Sequence, residues 1–392
     1  MSWFKRSFLW VVAVGSIFFI LAVLLPSFLE STYSAPPPLE ESQVTSIQAV
    51  VVSHLETPEP IKALYMTSCV AGTPSWRESL KKLIEETELN AVVIDIKDYT
   101  GMVAFSNNFP KIDVSHGCVV SDMREFIQVL HDADIYVIGR ISVFQDPSYT
   151  KLFPELAVKK KSDGGVWKDY KGLSFIDVGA RLYWDYIVKI SEEAYTLGFD
   201  ELNYDYVRYP SDGNMTDALY TWTHSTSSGQ AVSKSEMLRS FFEYLHDNLE
   251  HTGAKLSVDL FGMTTTVTND MNIGQVLELA LPYFDYVSPM VYPSHYPPTW
   301  NGFANPAEHP YEVVKIAITS GVERETNWNI LQGLASTTPS KLRPWLQDFN
   351  LGATYGPDKV RAQIQATYDV GLTSWMLWNA GNKYTASALL PE

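Results

Sequence analysis

A chain of 392 residues, 46% of them hydrophobic, can bury a large core as one big α/β domain or two smaller ones. Its formal net charge of −16 is spread along the chain with no long acidic run, which argues against a nucleic-acid partner because phosphate binding needs a basic surface. The eight histidines form no HExxH motif, no GxSxG elbow is present, and the two cysteines have no motif around them, so no zinc site, serine triad or cofactor is implied.

Near the N-terminus, Lys5 and Arg6 precede an apolar run from Phe8 to about Leu29 that carries no charged residue. Such a run is about as long as a bilayer needs, roughly 20 residues, and longer than the roughly 7 to 15 of a signal-peptide core. The best cleavage position, after Ala35, has Tyr33 where a small residue is wanted. The expectation is an uncleaved transmembrane signal anchor in residues 1–30, with a cytoplasmic basic end and an extracytoplasmic remainder at the cell surface or in a periplasm. Residues 31–60, rich in Ser, Pro and Glu and including Pro36, Pro37 and Pro38, read as an extended linker to a domain over 61–388. That topology permits a disulfide between Cys69 and Cys118, while two buried free thiols remain as open an alternative.

From residue 63 onward, short apolar runs recur, each followed by a loop and an amphipathic segment, the pattern of βα units. The predicted strands are Ala63–Cys69, Ala91–Lys97, Ile135–Ser142, Phe199–Pro210, Lys255–Phe261, Phe284–Val291, Leu342–Phe349 and Thr373–Trp378, with Asn329–Leu334 competing for the seventh place. Helical periodicity predicts an apolar stripe of Trp76, Leu80, Leu83 and Ile84. It also predicts helices over Met123–His131, Tyr183–Leu197, Glu236–Glu250, Asn272–Leu281, Tyr311–Thr319 and Asp358–Val370. Eight such units in about 320 residues predict a (β/α)8 TIM barrel, and no Gly-rich phosphate loop follows any strand to favour a doubly wound sheet. Two long connections, 143–182 and 211–235, follow strands three and four on the C-terminal face, where the second reads as a lid or cleft wall.

Strand ends in a barrel are ordinarily aliphatic, and here they are repeatedly polar. Strand two ends in Asp95, Lys97 and Asp98, with Asp95 and Lys97 expected on one face; strand three supplies Arg140 and Ser142, and strand four Asn203 and Asp205. Strand five supplies Ser257 and Asp259, strand six runs into Met290 and Tyr292 with His295 just beyond, strand seven into Gln347 and Asp348, and strand eight into Trp378 and Asn379. Each alone reads equally as a structural ion pair, for example Asp95 with Lys97 or Arg140. Together at one end of a barrel they predict a site for a polar substrate, because unpartnered buried polar groups each cost kcal/mol.

Aromatic faces for the C–H side of pyranose rings, with carboxylates and amides for hydroxyls, suit a polysaccharide or oligosaccharide. Glycoside hydrolysis needs two carboxyl groups flanking one bond, and Asp205 and Asp259 stand on neighbouring predicted strands. The expected assignment is Asp205 as nucleophile or charge stabiliser, held ionised by Arg140 or Arg208, and Asp259 as an acid of raised pKa. The substrate-binding set expected around them is Asp95, Lys97, Asp98, Arg140, Asn203, Arg208, Tyr292, His295, Gln347 and Trp378. Asp259 as a structural ion-pair partner of Lys255 or Arg208, outside direct contact with substrate, is the competing reading. A hard cation held by Asp95, Asp98 and Asp205 would instead suit a metal-dependent deacetylase or lyase.

The stretches Asn90-Ala-Val-Val-Ile-Asp95-Ile-Lys97-Asp98, Phe199-Asp-Glu-Leu-Asn-Tyr-Asp205-Tyr-Val-Arg208-Tyr-Pro210, Asp285-Tyr-Val-Ser-Pro-Met290-Val-Tyr292-Pro-Ser-His295-Tyr and Leu342-Arg-Pro-Trp345-Leu-Gln347-Asp348-Phe349 together resemble a bacterial domain family described as putative glycosyl hydrolases. The resemblance covers about residues 62–385 and implies a (β/α)8 fold with a carbohydrate-directed role. The fourth-strand stretch also looks like the chitinase pattern Phe-Asp-Gly-x-Asp-x-Asp-x-Glu, with Asp200, Asn203 and Asp205 in register with its acids and Val207 where its catalytic Glu would stand. Met290, Tyr292 and Trp378 are chitinase-like too. In the α-amylase group the fourth strand carries Arg-x-Asp; here Asn203-Tyr204-Asp205 keeps the Asp, and Asp259 stands where that group has its acid. A hydrolase and a non-catalytic carbohydrate-binding barrel are both compatible with these departures.

Overall fold

A computed structural model of the chain describes residues 52–105, 118–223, 232–335 and 340–391. The expected membrane anchor and most of the expected linker lie outside these residues, and no helix among those described is long and apolar enough to cross a membrane.

Eight parallel strands close into a barrel in chain order: β1 (Lys62–Met66), β2 (Ala91–Lys97), β3 (Tyr136–Ser142), β4 (Glu201–Asp205), β5 (Lys255–Phe261), β6 (Tyr286–Met290), β7 (Trp345–Gln347) and β8 (Trp375–Trp378). The period of two along each strand sorts its side chains into two cores. On β2, Val92, Ile94 and Ile96 face outward into the large barrel–helix core, whereas Ala91 and Val93 join Ala63, Tyr65, Tyr136, Ile138, Trp345 and Met376 inside. The helices packed outside are α1 (Pro74–Glu85), α2 (Met123–His131), α3 (Arg181–Leu197), α4 (Lys234–Leu249), the single turn α5 (Leu277–Ala280), α6 (Pro310–Leu331) and α7 (Pro357–Asp369).

Where elements differ from expectation, the backbone gives the reason. β4 stops at Asp205 because Tyr206 turns into left-handed backbone at φ 52°. β7 shrinks because Pro344, lacking an N–H, interrupts it; Leu342 still bridges to Val287 before the break. Its competitor, Asn329–Leu334, begins as the last three residues of α6, which ends at Leu331, twelve residues past the expected stop at Thr319. The helix expected over Asn272–Leu281 collapses to α5 because Met271, Asn272 and Gly274 all have positive φ. On α1, Leu80 and Ile84 are buried as expected, but Trp76 is 51% exposed.

The packed domain starts before Ile61. Leu55 donates its N–H to Asp200 at 2.8 Å and packs against the inner core, the Thr57 hydroxyl meets the Tyr136 hydroxyl at 3.1 Å, and His54 stacks on Tyr195. Residues from about Val52 therefore cap the N-terminal end of the barrel and are not part of a free tether. One layer in, the buried pair Glu201–Arg343 joins β4 to the residue leading into β7. Cys69 and Cys118 form a disulfide that closes a 49-residue separation after β1.

At the other end, the long loops after β3 and β4 bind each other. Lys159–Lys160 pairs antiparallel with Ala218–Leu219, and the buried Asp177 accepts hydrogen bonds from the Trp222 N–H and the Thr223 hydroxyl. Gly179 passes so close to this junction that a Cβ would lie 2.5 Å from the Thr223 nitrogen, so only glycine fits.

Candidate active site

The C-terminal mouth is organised by one guanidinium. The alternation along β3 turns Arg140 inward, where its Nη1 donates to Asp95 on β2 at 2.6 Å and its Nε and Nη2 both donate to Asp205 on β4, the former at 3.2 Å. Its Nε also lies 4.0 Å from Asp259 on β5. Three carboxyl groups from three strands thus surround one cation, and Arg140 sits nine-tenths buried over the faces of Tyr65 and Trp378. Burial by itself would weaken its hold on the proton, but Asp205 and Asp95 outweigh that and keep it firmly charged.

The carboxyls are not equivalent. Asp205 carries its partners on both oxygens: Arg140 on Oδ2, and the Tyr206 N–H on Oδ1 at 2.5 Å, a contact that the left-handed turn at Tyr206 creates. Asp259, 1% exposed, accepts on Oδ1 from Asn203 Nδ2 at 2.9 Å and from Trp345 Nε1 at 2.8 Å. Burial, reinforced by the neighbouring charge of Asp205, pushes its pKa up to about 8, so Asp259 is protonated at neutral pH. With Oδ1 already accepting two N–H bonds, the proton belongs on Oδ2. Asp95 is also raised by burial, opposed by Arg140, and accepts from the Tyr65 hydroxyl at 2.5 Å.

Tyr204 pairs with Val258, so the next step along β4 and β5 brings Asp205 level with Asp259. Both Oδ2 atoms are measured from the same Arg140 Nε, at 3.2 and 4.0 Å, so they are at most about 7 Å apart. That bound covers the roughly 5 to 5.5 Å of retaining glycosidases and the lower edge of the inverting range, which begins at roughly 6.5 Å.

Both carboxyls open onto one cavity of about 320 Å³, walled by Trp378, Tyr206, Arg208, Tyr292, His295 and the loop Phe261–Met263. Trp378 is backed by Tyr65, stacked at 4.0 Å, and so presents a fixed aromatic face. Burial lowers the pKa of His295, which favours a neutral ring, and its Nδ1 lies 3.0 Å from the Ser294 hydroxyl. Tyr206 and Arg208 at the start of the long loop after β4 contribute to this lining, together with Trp378 on β8 and the shorter loops after β5 and β6; no described residue of 143–182 or 211–235 does.

Of the residues expected here, Asp205, Asp259, Arg140, Arg208, Tyr292, His295 and Trp378 line the cavity, Asp95 supports it through Arg140, and Asn203 supports it through Asp259. Three do not belong to it. Lys97 was expected beside Asp95, but the register shifts between them, and its ammonium goes to the Ser142 carbonyl at 2.6 Å and to Asp146 at 2.9 Å. Asp98 closes a turn, accepting from the Thr100 N–H and hydroxyl. Gln347 accepts from the Ser294 N–H and donates to the Phe349 carbonyl, ordering the loop that carries His295. Asp259 pairs with neither Lys255, which goes to Asp285, nor Arg208. Asp200 lies at the opposite end, holding His131 and the Val137 N–H.

The three-aspartate cation site does not fit, because Asp98 is turned away and the Arg140 guanidinium lies between Asp95 and Asp205. Among the described residues no cluster of three His, Cys, Asp or Glu side chains could hold a metal ion. Sequence reasoning gave no role to Tyr65 and Trp345, whose polar edges reach Asp95 and Asp259. Aromatics on barrel strands read as core, and only their O–H and N–H hint otherwise.

Comparison with known proteins agrees with this architecture. The family model described as "Putative glycosyl hydrolase domain" matches residues 63–384. Among solved structures, the glycoside hydrolase domain of PgaB (BpsB) from Bordetella bronchiseptica superposes with a TM-score of 0.57 at 13% identity, over 82% of this chain and 95% of that one. Alpha-L-fucosidase isoenzyme 2 from Paenibacillus thiaminolyticus gives 0.55 at 10% identity, over 84% and 48%. At these identities the likeness is one of fold. A hypothetical protein from Ruminiclostridium thermocellum ATCC 27405 is 32% identical over 50% of this chain and 96% of its own, with a TM-score of 0.44. A search of curated proteins returned no match.

Proposed function

The chain belongs to this glycosyl hydrolase domain family, and from that membership we propose that it is a glycoside hydrolase acting outside the cytoplasm on a surface or cell-wall polysaccharide, tethered by the apolar run at residues 8–29. The observation that carries the proposal is the sharing of Arg140 by Asp205, which takes its hydrogen bonds, and a protonated Asp259, both opening onto one cavity. The disulfide Cys69–Cys118 supports the compartment, since such bonds persist where the environment is oxidising.

In this reading the Asp259 proton on Oδ2 passes to the glycosidic oxygen as the C–O bond breaks, and Asp205 meets the developing positive charge on the sugar as nucleophile or stabiliser. Arg140 holds Asp205 through two N–H donors, while Asn203 and Trp345 fix the Asp259 carboxyl through Oδ1 and leave Oδ2 for the proton. Trp378 offers a face for the C–H side of a pyranose.

The rival is a carbohydrate-binding barrel without catalysis, motivated by Val207, fully buried where chitinases carry their acid. The two are separated by measuring reducing ends from a panel of surface polysaccharides with the wild type, Asp205→Asn and Asp259→Asn. A hydrolase releases products that each variant abolishes by a factor of about 10³ or more. Tight binding with no products, or equal products from all three proteins, would end the two-carboxylate assignment.

A further inference from the structure

Arg208 is the one cavity-lining cation whose charge is not met by a carboxylate among the described residues. Arg140 is flanked by Asp95, Asp205 and Asp259. Arg208, 9% exposed, has no acid within ion-pair distance among the described residues; Asp205, Asp212 and Asp169 act on it only through space. Its Nη1 donates to the Tyr209 carbonyl at 3.1 Å and the Ser211 hydroxyl at 3.2 Å. The Nε and Nη2 hydrogens, which form the other edge of the guanidinium, have no acceptor among the described residues, and neither nitrogen is among the buried atoms sealed away from any partner.

Three rings hold the group in place. Its Cζ lies 5.7 Å from the centre of Phe175, 5.0 Å from Tyr206 and 5.0 Å from Phe261. Cation–π contact stabilises the charge without using the planar edge, so a preformed fork is left free on a residue that lines the cavity. In a chain of net charge −16, a mostly buried arginine left without a counterion marks a place where the ligand supplies one. A planar fork matches a planar carboxylate in two parallel N–H···O bonds.

We propose that Arg208 recognises the carboxylate of a uronic acid, so that the polysaccharide taken by this site is acidic. That the acidic polysaccharide is also cleaved rests on the hydrolase reading, but the recognition itself is a binding property and is testable without turnover. With the fork engaged, the carboxylate at C6 anchors the ring beside Trp378 and Tyr292, and the scissile bond is left to Asp205 and Asp259.

The test is calorimetric titration of uronic-acid oligosaccharides, their carboxyl-reduced neutral counterparts, and O-sulfated neutral oligosaccharides into the wild type, Arg208→Gln and Arg208→Lys, with circular dichroism confirming the fold of each variant. Reducing-end release is followed in parallel on the first two ligand classes. The expected result is wild-type binding of the uronides at least tenfold tighter than of the neutral counterparts. That preference is lost in Arg208→Gln and partly kept in Arg208→Lys. No wild-type preference for uronides, an unchanged preference in Arg208→Gln, or equal preference for the sulfated ligands would overturn the assignment. Arg208-dependent uronide binding without hydrolysis would uphold this inference and sink the hydrolase reading. Hydrolysis of neutral polymers indifferent to Arg208 would do the reverse.

Discussion

Asp259 stands 4.0 Å from the same Arg140 nitrogen that binds Asp205 at 3.2 Å, so one guanidinium separates two carboxyls that would otherwise repel each other. The arrangement is asymmetric: Asp205 takes the charge-assisted bonds, while Asp259 takes neutral N–H donors and the burial. A carboxyl that keeps its proton at neutral pH, beside a second one that takes the cationic donor, is an arrangement suited to acid–base catalysis.

The first expected outcome concerns coupling. Burial is the largest cause of the raised Asp259 pKa, and the charge of Asp205 is the next. Asp205→Asn removes the second cause and leaves the first. Following the Asp259 carboxyl carbon by NMR should show titration below the wild-type value of about 8 but still above an ordinary carboxylate. An unchanged titration would mean that the two groups do not sense one another.

Trp345→Phe should act in the opposite direction. The indole N–H favours the ionised form of Asp259, so its loss should move the alkaline limb of the rate profile upward, by up to about one unit. Because Trp345 is a buried ring, some stability will be lost as well. A limb that moves down, or stays, would contradict the role given to this hydrogen bond.

Stability should record the same proton. An unfolded Asp titrates near 4, whereas folded Asp259 titrates near 8, so between these values the folded state holds a proton that the unfolded state has lost. Stability therefore falls as pH rises through that window and levels off above it. Asp259→Asn cannot ionise and should be increasingly more stable than the wild type from pH 5 to 8, by on the order of a few kcal/mol at the upper end. Parallel melting-temperature curves for the two proteins would contradict this.

The disulfide makes a separate contribution. Closing a loop of 49 residues is worth about 4 kcal/mol in the chain-entropy model. Reduction, or Cys69→Ser with Cys118→Ser, should lower the unfolding midpoint by a corresponding amount while leaving the pH profile unmoved, since neither cysteine lines the cavity. A shifted profile would tie this loop to the site.

The barrel was legible because its inward and outward rows are written at a period of two. Ala91–Lys97 was bounded to the residue, and Asn203 with Asp205 announced a polar interior. The misplaced residues share a cause that periodicity does not carry. A single register shift after Asp95 redirects Lys97, a turn captures Asp98, and a loop contact captures Gln347. Alternation also marks Glu201 as inward, but its partner Arg343 comes from the far side of the barrel and is 142 residues away in sequence. Long-range pairings of that kind, like the reach of Trp345 to Asp259, exist only once the barrel closes.

The most direct test of the catalytic pair is the leaving-group dependence of hydrolysis, measured with 2,4-dinitrophenyl and alkyl glycosides of the sugar identified in the polysaccharide panel. A dinitrophenolate needs no proton to depart and an alkoxide does. If Asp259 is the acid and Asp205 the partner that meets the sugar cation, Asp259→Asn should cleave the dinitrophenyl glycoside within about tenfold of the wild type yet lose about 10³-fold or more on the alkyl glycoside. Asp205→Asn should lose both. Equal losses on the two substrates in Asp259→Asn, or full activity in either variant, would contradict the account.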